Sequence, residues 1–152
     1  MTVHSIKARR LARDEAGFTL IELLVVILII GILAAIAIPQ LVGQRTKAQD
    51  TDAKSSVRHA QEAIVQFHLE NDTFAATQAQ LAAIIPSLQQ SNNLQIVADA
   101  TSYSVSVDSK SGSAGGGTFT IAYDPAAGTR RLCSNPGQGA CDNAPDARGN
   151  LW

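Results

Sequence analysis

The chain is poor in charge and in the residue patterns that usually carry chemistry. Lys, Arg, Asp and Glu make up 16% of its 152 residues, against roughly 25% in an ordinary soluble domain. A formal net charge of −1 excludes both a polybasic nucleic-acid module and an acidic disordered tail. Two cysteines are too few for a disulfide-dense scaffold or a four-cysteine zinc site. Catalytic constellations are missing as well. His59 and His68 stand nine residues apart, on opposite faces of any helix that carries both. His59 with Glu62 does not make a His-Glu-x-x-His pair, His4 lies in the first few residues, and neither cysteine has an evident histidine partner. No Gly-x-Ser-x-Gly elbow occurs, and the Gly/Ser stretch 109–117 lacks the Gly-Lys-Ser/Thr ending of a phosphate-binding loop. An enzyme is not expected, and no cofactor is called for.

What charge there is falls unevenly. Residues 1–17 carry Lys7, Arg9, Arg10 and Arg13 against Asp14 and Glu15, a net +2. Phe18 to Ile38 is an apolar run of 21 residues whose one charge is Glu22. As a helix it spans roughly 31 Å, the thickness of a bilayer core. The basic flank before it places the N-terminus in the cytoplasm and the bulk of the chain outside. A cleavable secretory signal is the competing reading, with Ala35-Ile36-Ala37 as a cleavage site before Ile38. Against it, the run exceeds the 7–15 residues of an ordinary signal core. It also holds a carboxylate that costs on the order of 2.5–3.5 kcal/mol at mid-bilayer depth and less near the edge. Glu22 either lies close enough to the headgroups to stay hydrated, or it has a partner. An amino group freed by cleavage after Gly17 would lie one helical turn before Glu22. In a bundle of such helices, the ammonium of one and the carboxylate of the next would neutralise each other and set axial register.

Gly17-Phe18-Thr19-Leu20-Ile21-Glu22-Leu23-Leu24-Val25-Val26 resembles the processing site of type IV prepilins and the related pseudopilins. That pattern is a basic leader ending in Gly, then Phe, then Glu at the fifth mature position of a long apolar helix. The resemblance implies cleavage between Gly17 and Phe18 by a membrane prepilin peptidase, which also methylates the new Phe18 amine, and a role for Glu22 in filament assembly. It further implies a homopolymer formed through N-terminal helices, contact with membrane lipid, and an assembly platform with its ATPase. Such a chain would be a single-pass inner-membrane protein that ends in a surface filament. The leader, 17 residues here, is longer than in many type IVa pilins. Gly31 and Pro39 also stand where members of the family commonly have Gly and Pro. Pro39 removes one helical hydrogen bond and clashes with the preceding turn, so a kink is expected there, and the resemblance adds that this region can bend on packing into a filament.

Beyond Pro39, Ala53, Val57, Ala60, Ile64 and Phe67 recur at helical spacing on a stripe that runs to about Asn71 and needs a sheet to cover it. Asp50–Lys54 and Arg58–Glu62 are read as exposed i,i+4 charge pairs. A short helix is expected over Thr77 to Ile85, ended by Pro86. Strands are expected at Leu94–Ala98, Ser102–Val107, Thr118–Tyr123 and Thr129–Cys133. The fold class is therefore α+β. One long N-terminal helix, transmembrane over 18–38 and amphipathic over 39–71, packs on a three- or four-stranded antiparallel sheet within a head of 72–152.

Cys133 and Cys141 bracket a loop of turn formers, and the expected topology puts both where disulfides persist. Closing that loop is worth roughly 2.6 kcal/mol in the chain-entropy model; two free buried thiols are the alternative. The resemblance implies a disulfide-bonded loop exposed on the filament. In the tail, Asp142, Asn143, Asp146 and Asn150 offer oxygen ligands for calcium, or make Asx turns around Pro145 and Gly149. The spacing does not match an EF-hand, and no metal is assigned. Arg130 and Arg131, with Lys110, could touch DNA phosphates, but three exposed cations do not establish a nucleic-acid partner. Asn71-Asp72-Thr73 is a glycosylation sequon of a kind common by chance, and Trp152 is expected to pack over the head. Functionally the chain reads as a pilin subunit serving motility, adhesion or DNA uptake. Its alternatives are a pseudopilin of a type II secretion system and a secreted binding domain starting near Ile38.

Overall fold

A computed structural model describes residues 17–152, so the leader positions before Gly17 lie outside the described residues. Packing divides the chain into two units, the first ending at Ile38 and the second running Pro39–Trp152. One helix, α1 (Leu20–Asn71), contributes to both and contains Gly31 and Pro39. In the first unit its large apolar side chains are exposed throughout; Leu20 is 77% exposed and Ile38 60%. It is long and apolar enough to cross a membrane.

In the second unit the helical stripe meets its sheet. Ala53, Val57, Ala60, Ile64 and Phe67 are all buried, as their spacing predicts. Three alanines on that face (Ala53, Ala60 and Ala63) let the sheet approach the helix closely. The sheet is a meander of four antiparallel strands, β1 (Gln95–Ala98), β2 (Tyr103–Asp108), β3 (Thr118–Asp124) and β4 (Gly128–Cys133), in the order β1-β2-β3-β4. Strict alternation sends Tyr103, Val105 and Val107 of β2, and Phe119 and Ile121 of β3, into the core. Full burial of each such side chain is worth about 1.5–3 kcal/mol.

Before the sheet, α2 (Gln78–Ile84) opens with a capping box in which Thr77 and Gln80 satisfy each other's backbone N–H groups. Pro86 follows and starts a 3₁₀ turn, Pro86–Gln90. Leu81 and Leu88 from this connection close the core edge. Beyond β4 the chain covers the open edge of that strand. Leu151 N–H donates to the Arg131 carbonyl, Arg131 N–H donates to Asn150 Oδ1 at 2.9 Å, and the Trp152 indole N–H donates to the Leu132 carbonyl at 2.9 Å. Trp152 packs edge-on to Phe119 with ring centroids 5.7 Å apart.

One charge pair is not what local spacing suggests. Asp50 is fully buried and does not form an exposed pair with Lys54. Its Oδ1 accepts from the Ser109 and Ser111 hydroxyls, each at 2.6 Å, and its Oδ2 from the Gly116 N–H at 2.9 Å and the Ala140 N–H at 2.8 Å. Lys54, one turn on, donates instead to the Ala140 carbonyl. Long-range partners win because four donors converge on one carboxylate, which a single ammonium one turn away cannot match.

Candidate functional site: the helix opening and the head loops

The motif residues open α1. Phe18 is 81% exposed, and Thr19 immediately precedes the first helical residue. Thr19 and Glu22 form a reciprocal cap. Glu22 Oε2 accepts from the Thr19 N–H at 2.9 Å and from the Thr19 hydroxyl at 2.8 Å, while Glu22 N–H donates to Thr19 Oγ1 at 3.2 Å. Thr-x-x-Glu ahead of an apolar run is the capping-box pattern. That signal is legible in the sequence, but reading Glu22 only as hydrated or as the partner of a neighbouring amine passes over it. The cap holds the carboxylate at the helix N-terminus, where the helix dipole favours negative charge. Gly17 and Phe18 lie just outside the helix, so the expected cleavage point precedes a finished helix end. Around it, Phe18, Ile21, Val25 and Val26 surround Glu22 with apolar surface.

In the second unit the Asp50 carboxylate joins three segments: α1, the β2–β3 loop and the loop after β4. The geometry demands glycine. Gly139 has φ +56°, and a Cβ on it would overlap Asp50 Oδ2; a Cβ on Gly115 would meet both Ser111 Oγ and Asp50 Oδ1. Cys133 and Cys141 are joined by a disulfide across a Cα separation of 6.0 Å, and both are buried. The bridge therefore fixes the loop whose Ala140 touches Asp50 through its N–H and Lys54 through its carbonyl. Burial works against the charge on Asp50, but donation from Ser109, Ser111, Gly116 and Ala140 outweighs it and holds the carboxyl below its ordinary range. Burial also pushes the Lys54 ammonium down, against the attraction of Asp142 and Asp50.

The tail acids are engaged locally. Asp146 accepts from the Arg148 and Asn150 N–H groups, each at 2.8 Å, and from the Asn150 side chain at 3.0 Å, an Asx-type turn. Among the described residues no three His, Cys, Asp or Glu side chains gather to hold a metal. Arg130, Arg131 and Lys110 do not act together. Arg131 turns onto the Trp152 ring, 5.8 Å from its centroid, while Lys110 lines a cleft of about 130 Å³ with Asp52 and Asp108. His68 stacks on Phe74 with ring centroids 4.0 Å apart, and its Nδ1 is buried without a partner.

Stability against acid follows from these carboxylates. Asp50 and Asp146 are held low by their donors, and Asp99 lies at about 2, chiefly through the Thr101 and Ser102 N–H groups and the Ser102 hydroxyl. Their folded pKa values are depressed, so as pH falls the unfolded chain takes up protons first. Their contribution is complete above the ordinary carboxylate value of 3.8 and is lost as pH drops from there toward 2. The melting temperature of the full chain in detergent is expected to be flat from neutral pH to about 4.5 and to fall steeply below. A profile that stayed level down to pH 2, or rose, would contradict the assignment.

Comparison with known proteins follows the same division. The model of the prokaryotic N-terminal methylation motif matches residues 12–38. The type II secretion system core protein G of Pseudomonas aeruginosa is 38% identical over 73 residues, 48% of this chain and 51% of its own. That of Aeromonas hydrophila is 37% identical over 73 residues, again 48% of this chain and 51% of its own. The type IV wide pilus major component of Thermus thermophilus is 40% identical over 72 residues, 47% of this chain and 55% of its own. The chain spans about half the length of the curated relatives it matches. It is thus one of the proteins that carry the prokaryotic N-terminal methylation motif, and a relative of the type IV pilins and the type II secretion pseudopilins.

Proposed function

We propose that the chain is a structural subunit, cut between Gly17 and Phe18, methylated at Phe18, stored in the inner membrane, and polymerised into a type IV pilus filament. Residues 1–17 are the cytoplasmic leader, 18–38 the membrane and filament-core helix, 39–71 its amphipathic continuation, and 72–152 the head. The peptidase and methylase, the assembly platform and its ATPase are its partners, together with copies of itself. Gly31 and Pro39 are where the helix bends as it packs.

The observation that carries this reading is Glu22. It is the one charge in the apolar stretch Phe18 to Ile38, at the third residue of α1 and shortly behind a Gly-Phe junction. In lipid its charge is tolerable near the headgroups with Thr19 as partner. In a helix bundle it needs a cation, and the freed Phe18 amine of a neighbour supplies one.

A second reading, a type II secretion pseudopilin, is supported by the names of several relatives. The Cys133–Cys141 bridge speaks for the pilin. Calcium-dependent melting of the 142–150 tail would speak for the pseudopilin, since the oxygens there already form a turn. The deciding measurement for the shared part is the N-terminal peptide mass of protein from membranes and of material sheared from the cell surface. A peptide beginning at methylated Phe18 in both is expected. A start near Ile38 in the medium would mean an ordinary signal and a secreted binding domain.

A further inference from the structure

The second unit is electrically uneven in a way its fold accounts for. Three cations converge on one indole. The Lys54 ammonium lies 5.4 Å from the Trp152 ring centroid, the Arg58 guanidinium 5.3 Å and that of Arg131 5.8 Å. Arg130, one residue earlier in β4, lies on the other face of the sheet with its Cδ beside Gly149, adjacent to Arg148, so the cations at the indole are Lys54, Arg58 and Arg131. Arg58, Arg130, Arg131 and Arg148 are exposed. The acids of this flank are largely occupied: Asp142 attracts Lys54, and Asp146 is held in its own turn. The flank is thus an aromatic plate under several cations, a surface suited to carboxylates.

The complementary surface is on the same chain. Phe74 stacks on His68 in the last turn of α1 and touches Tyr103 and Tyr123, with centroids 5.0 and 5.6 Å away. Tyr103 pairs with Ala98 on one side and Tyr123 on the other, and Tyr123 pairs with Thr129. The end of α1, the β1–β2 turn and the β3–β4 turn therefore share one end of the head. They bring Glu70, Asp72, Asp99 and Asp124 there, all exposed, and the segments that form this end (70–74, 99–102 and 124–128) contain no Lys or Arg.

Resting on the filament reading above, we propose that the acidic end of one copy docks on the Trp152-centred cationic flank of a second copy. The two patches differ and lie at different places on the head. The contact is therefore heterologous, and heterologous contacts propagate into open helical arrays where a self-complementary patch would stop at a dimer. The electrostatic contact also fixes which neighbour is engaged, since like charges juxtaposed at other registers are penalised.

The test is a charge swap in cells that express the full chain and shed filaments. Glu70→Lys with Asp72→Asn weakens the acidic end, and Asn keeps the positive φ of Asp72 accessible. Arg58→Glu with Arg131→Glu replaces two cations of the flank by acids. Each pair alone is expected to lower sheared filament by about tenfold, with Phe18 processing and membrane levels unchanged. Unaltered filament yield in either pair overturns the proposal. If the flank variants do not accumulate as folded protein, wild-type filaments decide the matter. Dissociation rising steeply between 0.05 and 1 M NaCl is expected from the screening of an exposed charge interface, and indifference to salt overturns it. Wild-type cells that shed no filament at all would overturn the filament reading instead, so the two failures are distinct.

Discussion

Replacing Asp50 with Ala is expected to lower the stability of the Pro39–Trp152 unit by about 3–5 kcal/mol. The substitution removes no apolar contact of consequence. It leaves two hydroxyls and two backbone N–H groups facing a dry site that they were arranged to fill. Each stranded donor costs about 1–3 kcal/mol, reduced where a water takes the carboxylate's place. Asp50→Asn is the sharper variant. It keeps the shape, and with its oxygen on the Gly116 and Ala140 N–H groups its N–H₂ meets the Ser109 and Ser111 hydroxyls, which must turn to accept; loss of the charge-assisted bonds is expected to cost about 1–2 kcal/mol. Chemical denaturation of the full chain in detergent measures both. Hydrogen exchange gives the signature: protection should fall together at Gly116 and Ala140, which are distant in sequence and share only this carboxylate. Loosening confined to α1 would contradict the role assigned to Asp50.

Glu22→Ala is expected to leave a chain that inserts in the membrane and is still cut at Phe18, while sheared filament falls by at least about a hundredfold. Losing a carboxylate removes a membrane cost of up to 2.5–3.5 kcal/mol, so insertion does not suffer. In the assembled bundle the same change strands an ammonium out of water, a loss of about 3–5 kcal/mol per subunit. Thr19→Val separates the two roles of Glu22. It removes the hydroxyl of the cap but leaves the carboxylate, so fraying of the helix opening should increase, with a far smaller drop in filament. Peptide mass, membrane fractionation and shearing read these outcomes in one set of cells. Normal filament from Glu22→Ala would remove the basis for the pairing.

These two carboxylates also show how far the sequence alone carries. The long helix with its apolar stripe, the strands, and the inward faces of β2 and β3 were legible because they rest on local periodicity: Ala53 to Phe67 at helical spacing, Tyr103 to Val107 and Phe119 to Tyr123 in alternation. Glu22 stood out because it is the one charge in an apolar run, although its local partner Thr19 was passed over. Asp50 did not, because Lys54 one turn away offered a sufficient local explanation. Its true partners lie 59 to 90 positions further along. Gly115 and Gly139 read as loop glycines for the same reason; that a side chain there would collide with Asp50 follows only from the fold. The cations around Trp152 likewise come from α1 and β4, which no sequence window spans.

That separation has a consequence in time. Ala140 is made 90 residues after the carboxylate it binds, which at ribosomal rates of about 5–20 residues per second is an interval of roughly 5 to 18 s. The apolar stripe of α1 is equally early, and its cover begins only at Val105, 52 residues after Ala53. For that interval the nascent helix displays a row of uncovered hydrophobic side chains around an unanswered acid. A late-made loop completes the Asp50 site, so a chain halted short of Ala140 retains its helix and its strands but lacks one of the four donors that bind Asp50.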